Sequence, residues 1–153
     1  MFWYIRMVFK PDSKSSLTTA IDAWINGSIT STSNVPGNQY VSGEDHEYKD
    51  INDWDVTAAG FDFSYLFQDK PSFNEDIGSW NTAAVTTMKS MFNNATAFNN
   101  GEQPLDTGNW NTSNVTDMSF MFHGAEAFNQ DIGNWNTAAV TTMTYMFYGA
   151  IAF

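Results

Sequence analysis

Apolar residues recur along the second half of the chain in one fixed order, and that order repeats about every 25 residues. Ile77 and Trp80 come first, then Val85, Met88, Met91, Phe92 and Ala95, then Phe98. The same order runs from Ile132 and Trp135 through Val140, Met143, Met146, Phe147 and Ala150 to Phe153. A third version has Trp110, Val115, Met118, Met121, Phe122, Ala125 and Phe128, and a weaker one opens at Ile51 and Trp54. The tryptophans at 54, 80, 110 and 135 are 26, 30 and 25 residues apart. A period of that length marks a stack of equivalent supersecondary units, because one unit alone would leave its Trp, Met and Phe facing water on two sides.

Within each unit the spacing predicts two halves. Ile77–Trp80 and its equivalents read as a very short strand. Steps of three and four from Val85 to Ala95 read as one face of a short helix, with Thr82, Thr112 and Thr137 at its N-cap. The expected fold class is therefore α/β: a right-handed, leucine-rich-repeat-like solenoid with short parallel strands on one side and short helices on the other. Its core is assigned to Trp54, Trp80, Trp110, Trp135, Met88, Met118, Met143, Phe92, Phe122, Phe147, Phe98 and Phe128. Asn81, Asn111 and Asn136 would form one interior rung, and Asn74, Asn99 and Asn129 another.

Ahead of the repeats, residues 1–10 alternate like a strand. Pro11, Asp12 and Ser13 then open a helix whose apolar face is Leu17, Ile21, Trp24 and Ile25, and Gly27 closes it. Residues 1–27 thus read as an N-terminal strand–helix cap and 28–50 as a polar loop. The repeats follow at about 51–75, 76–100, 101–130 and 131–153. The third carries five extra residues in the 99–109 segment, and insertions in stacked repeats bulge from one face. The first departs at Gly60–Phe63. The fourth stops at Phe153 inside its unit, so further repeats or another chain are expected to cover the 135–153 edge.

Composition narrows the function classes. Six Lys and Arg against 17 Asp and Glu give a net charge of −11, which repels phosphate backbones and anionic lipid. No nucleic-acid partner is expected, and no stretch is long and apolar enough for membrane insertion. There is no cysteine, hence neither disulfide nor thiolate metal site. The acidic cluster Glu44, Asp45, Glu47 and Asp50 around His46 matches no EF-hand or zinc spacing. Only two histidines occur, His46 and His123, in different units, with His123 expected as an exposed residue at a helix end. Asp76, Asp131 and Asp106 recur near the strand starts, yet copied positions in repeats serve structure. No enzyme, cofactor or metal is expected.

Sequons at Asn26, Asn94 and Asn114 are candidate glycosylation sites, whereas Asn111 would be blocked inside the ladder. Asn100, Glu102, Asp106, Tyr145 and Tyr148 are the candidate contact residues.

The phrase FNxDIGxWNTxxVTxMxxMFxxAxxFN, carried by Phe73–Asn99 and by 128–153, resembles the BspA-like surface-protein repeat, usually grouped with leucine-rich repeats. The segment FKPDSKSSLTTAIDAWING at 9–27 resembles the helix that often leads into such arrays. The resemblance covers about 51–153 and implies a secreted or surface-displayed module of the kind found in bacterial lipoproteins, protists and algae. Some members are adhesins, and none supplies catalytic residues to carry over. The expected role is a non-enzymatic extracellular or cell-surface protein that makes protein–protein contacts or builds an extracellular assembly. A carbohydrate-binding adhesin using Tyr145, Tyr148 and Phe120, or a component of a large particle, are the alternatives.

Overall fold

A computed structural model describes residues 9–27, 50–60, 62–105 and 108–153. Residues 1–8 of the expected strand at 1–10, all of the polar loop but Asp50, and Asp106 lie outside them. Among the described residues there is one α-helix, α1, at Lys14–Ile25. Ser13 caps it: its hydroxyl accepts from Ser16 N–H at 3.2 Å, and its own N–H donates to Ser16 Oγ at 3.0 Å. This reciprocal pair satisfies two otherwise orphaned donors. Gly27, at φ +64°, ends the helix by donating to Trp24 C=O. Leu17, Ala20 and Ile21 are fully buried against the first repeat, and Trp24 meets Trp54 edge-on at 5.9 Å.

Among their described residues the repeats hold neither α-helices nor multi-residue strands. Short 3-10 turns occur at Ile51–Asp53, Val56–Ala58 and Asn100–Glu102. The rest of each unit is a run of turns closed by i→i+3 hydrogen bonds. In the second unit these run from Trp80 to Ile77, Val85 to Thr82, Met91 to Met88, Ala95 to Phe92 and Phe98 to Ala95. Such a chain points every third residue inward, close enough to the helical period of 3.6 to mimic a helix in sequence. A helix is ruled out by two left-handed positions per unit. One is Tyr65, Ser90, Phe120 and Tyr145, the other Asp69, Asn94, Gly124 and Gly149, all at φ between +53° and +78°. A right-handed helix cannot pass through that region.

Parallel contact between units is made not at Ile77–Trp80 but further along, at single-residue bridges joining Asp62 to Thr87, Thr87 to Asp117 and Asp117 to Thr142. Four backbone bonds run on from each bridge. Met88, Ser90, Phe92 and Asn94 N–H donate to the carbonyls of Asp117, Ser119, Met121 and His123 at 2.8–3.0 Å. The first unit bonds the second in the same register, and the third bonds the fourth. The threonines expected as caps act between units: Thr82 Oγ1 donates to Asn111 C=O and Thr112 Oγ1 to Asn136 C=O.

The interior is a double column of phenylalanine rings. Phe67, Phe92, Phe122 and Phe147 stack in succession at 5.3, 5.4 and 5.7 Å, within 9° of parallel. Beside them run Phe73, Phe98, Phe128 and Phe153 at 5.8, 6.1 and 5.6 Å. Within a unit the two columns approach to 4.1, 3.9, 3.8 and 4.3 Å. Near-parallel rings at these spacings gain about 0.5–1.5 kcal/mol per pair beyond area burial. Trp80 and Trp110 are buried and donate Nε1–H to the carbonyls of Ile51 and Ile77 at 2.8 and 2.9 Å. The first unit keeps this frame despite its divergence, because Phe63 takes the place of Met88 and donates to Thr87 C=O.

The two asparagine rungs differ. Asn74 Oδ1 accepts Asn99 N–H at 2.7 Å and Asn99 Oδ1 accepts Asn129 N–H at 2.9 Å, so that rung ties units together. Asn81, Asn111 and Asn136 are exposed instead of interior. Each accepts the N–H two residues ahead, at Ala83, Ser113 and Ala138, as a local turn.

Candidate functional site

The first left-handed position of each unit lies next to a buried Leu or Met; Tyr65 and Tyr145 there are exposed, Phe120 is half-buried and Ser90 is buried. In the third and fourth units it is aromatic, Phe120 and Tyr145, and the residue three further on is His123 or Tyr148. These four rings form one surface cluster. Phe120 lies 5.4 Å from Tyr145 and 5.7 Å from His123. His123 stacks on Tyr148 at 5.2 Å, and Tyr148 meets Tyr145 edge-on at 5.8 Å and 89°. Tyr145 and Tyr148 are 59% and 65% exposed, while Phe120 and His123 are half-buried. His123 is thus not the exposed cap expected of it. Its ring sits between aromatic neighbours, and its Nδ1 is buried without a hydrogen-bond partner among the described residues. In the second unit the equivalent places are Ser90 and Asn93, so the cluster is confined to the third and fourth units. Holding Phe120 and Tyr145 at φ +57° and +56° strains bulky residues by about 1–2 kcal/mol each.

The described part of the 99–109 insertion does not simply bulge from one face as expected. Asn100 is fully buried and does not belong to a contact surface. Its Oδ1 accepts Ile77 N–H at 2.8 Å, and its Nδ2 donates to Asp76 Oδ1 and Gln103 C=O. Asn74 Oδ1 also accepts Gly101 N–H at 3.0 Å. Gly101 is required there: at φ +59°, a Cβ would lie 3.3 Å from Asp76 N. Glu102 remains exposed, with Asn74 Nδ2 at 3.4 Å from its carboxylate.

Asp76 and Asp131 cap local turns, accepting Gly78 and Gly133 N–H at 2.8 and 2.9 Å. Asn94 and Asn114 are exposed, but each amide is engaged: Asn94 Nδ2 donates to Asp69 at 2.7 Å and Asn114 Nδ2 to Ala83 C=O at 2.8 Å. Asn26 is exposed just after α1. Among the described residues no three His, Asp or Glu gather closely enough to hold a metal, and no helix is long and apolar enough to cross a membrane.

Two carboxylates anchor the N-terminal region. Burial works to raise the Asp55 and Asp62 pKa values, but their partners outweigh it and hold both below the usual carboxylate value. For Asp55 the partners are Lys10 and Thr57; for Asp62 they are Ser64 and Lys14. Lys10 Nζ lies 2.8 Å from Asp55 and Lys14 Nζ 2.9 Å from Asp62. Lys14 also donates to Ser64 Oγ at 2.8 Å and sits 5.8 Å from the Tyr65 ring centre.

Turn-built units joined by bridges at one-period spacing, over a shared aromatic core, define a protein of stacked repeats. The chain belongs to the family described as Mycoplasma protein of unknown function, DUF285, whose model matches residues 5–107 and 100–153. No curated protein and no solved structure matches it.

Proposed function

We propose that this is a non-enzymatic repeat protein of the cell surface or extracellular space, acting by protein–protein contact or as a subunit of an extracellular assembly. The finer fold reading is a right-handed, BspA-like solenoid in which turns replace the helices of a leucine-rich repeat. One-period hydrogen bonding and the phenylalanine columns support that reading.

The observation that carries the functional reading is the cluster of Phe120, His123, Tyr145 and Tyr148. Exposed tyrosines packed on one another are characteristic of protein interfaces, where they bring large area at little entropic cost. Tyr145 and Tyr148 stand at 89° to each other, which offers no flat platform for a sugar ring. That angle favours a protein partner over a glycan.

The test is retention of labelled protein on intact cells, compared with the Tyr145→Ala/Tyr148→Ala variant. The double variant is expected to lose retention while remaining folded. Prior trypsin treatment of the cells should abolish wild-type retention, and glycosidase treatment should not. Loss after glycosidase alone would establish the carbohydrate-binding adhesin instead, and equal retention of the double variant would remove the cluster from the account.

A further inference from the structure

The backbone hydrogen bonds that run on from each bridge have a direction, while a smaller set, from Ala97, Thr116, Ala127, Thr141 and Ala152 N–H to Pro71, Thr86, Thr96, Thr116 and Glu126 C=O, runs back to the preceding unit. In every unit the N–H groups of one alternating set point to the following unit: Phe63, Tyr65, Phe67 and Asp69, then Met88, Ser90, Phe92 and Asn94, then Met118, Phe120, Phe122 and Gly124. The accepting carbonyls belong to the interleaved set of the next unit, such as Asp117, Ser119, Met121 and His123. Carbonyls of the donor set are spent inside their own unit. In the fourth, Met143, Tyr145 and Phe147 C=O accept from Met146, Tyr148 and Ala150. The fourth unit therefore presents the N–H groups of Met143, Tyr145, Phe147 and Gly149 in a row, with no acceptor for any of them among the described residues.

Beside that row lie the apolar groups that inner units bury. Met143 is 42% and Phe153 53% exposed, where Met88, Met118, Phe98 and Phe128 are buried; Ile151, 81% exposed, adds apolar area of its own beside them. An edge of unpaired backbone groups over an apolar face is a template for pairing. A two-fold pairing of this face with itself would set the donor row largely against itself, so the four bonds of the inner interfaces could not all be reproduced. The leading edge of a second copy is also closed, because Leu17 and Ile21 of α1 pack on the first unit and Lys14 bonds Asp62 and Ser64.

We propose that the 132–153 face docks one further repeat unit of this class, in head-to-tail register, whose leading carbonyl edge is free of any helix. Its interleaved carbonyls accept the four N–H groups, its bridge residue pairs with Thr142, and its phenylalanines extend both columns beyond Phe147 and Phe153. The inference refines the interaction surface of the proposed function, but rests on the backbone of the fourth unit and not on the aromatic cluster.

The experiment fuses a second copy of residues 74–98 directly after Phe153 and follows amide hydrogen exchange by NMR. A scrambled copy of the same composition is the control. In the unextended chain the four amides should exchange as open groups; in the fusion their exchange should slow by about two orders of magnitude or more, while the scrambled fusion leaves them open. Unchanged exchange in the fusion would overturn the proposal, as would a dimer of the unextended chain in sedimentation with those amides already protected. Neither result depends on whether the cells of the preceding test retain the protein.

Discussion

The second and fourth units contain one identical octapeptide, NTAAVTTM, at 81–88 and at 136–143. The fold uses the two copies differently. Met88 is fully buried, whereas Met143 is 42% exposed; Phe98 is fully buried and its counterpart Phe153 is 53% exposed. Phe92 has a phenylalanine of a neighbouring unit on each side, but Phe147 has one on a single side. The local sequence is the same, so the burial comes from the neighbour. In this protein a core position is completed by the next copy of itself, and the stability of a residue depends on its rank in the stack.

The largest break in that comparison should come from the phenylalanine column. Phe92→Ala removes a fully buried ring with partners above, below and beside it and is expected to cost about 3–5 kcal/mol. Phe147→Ala, stacked on one side of the column, should cost less than half as much in the same denaturant titration. Near-equal losses would mean that stacking rank is irrelevant.

A smaller contrast lies in the asparagine rung. Asn74 Oδ1 holds the N–H groups of Asn99 and Gly101, so Asn74→Ala leaves two donors short and should cost about 1–3 kcal/mol. Asn129 is exposed at the equivalent place and caps no following unit; Asn129→Ala should stay within about 0.5 kcal/mol.

Acid provides the smallest test and acts at the opposite end. Because Asp55 and Asp62 have folded pKa values below their unfolded ones, their stabilisation is present above the unfolded value and is lost as pH falls through the folded one. Tryptophan fluorescence and thermal melting should show the α1 contacts weakening below about pH 4. Lys10→Met and Lys14→Met together should flatten that acid limb, and an unaltered limb would remove the two pairs as its cause.

Much of this organisation was legible in the sequence. The period, the helix at Lys14–Ile25 and the inward positions from Trp80 to Phe98 all follow from spacing and side-chain chemistry. The secondary structure within a unit was not, because successive i→i+3 turns bury nearly the same positions as a helix face. Asp69, Asn94, Gly124 and Gly149 did hold a signal, since Asp, Asn and Gly all tolerate the left-handed region. Tyr65, Phe120 and Tyr145 concealed the other left-handed position, since bulky aromatics seldom occupy it. Asn100 was misplaced for another reason. An insertion ordinarily bulges outward, but here the Asn100 side chain turns inward and accepts Ile77 N–H.

Equilibrium urea unfolding of Met88→Ala and Met143→Ala, made in the same octapeptide, tests the central claim most directly. If burial derives from the neighbouring unit, Met88→Ala loses about 2–5 kcal/mol and Met143→Ala less than about 1 kcal/mol. Equal losses at the two sites would show that each repeat carries its own core, contradicting the account.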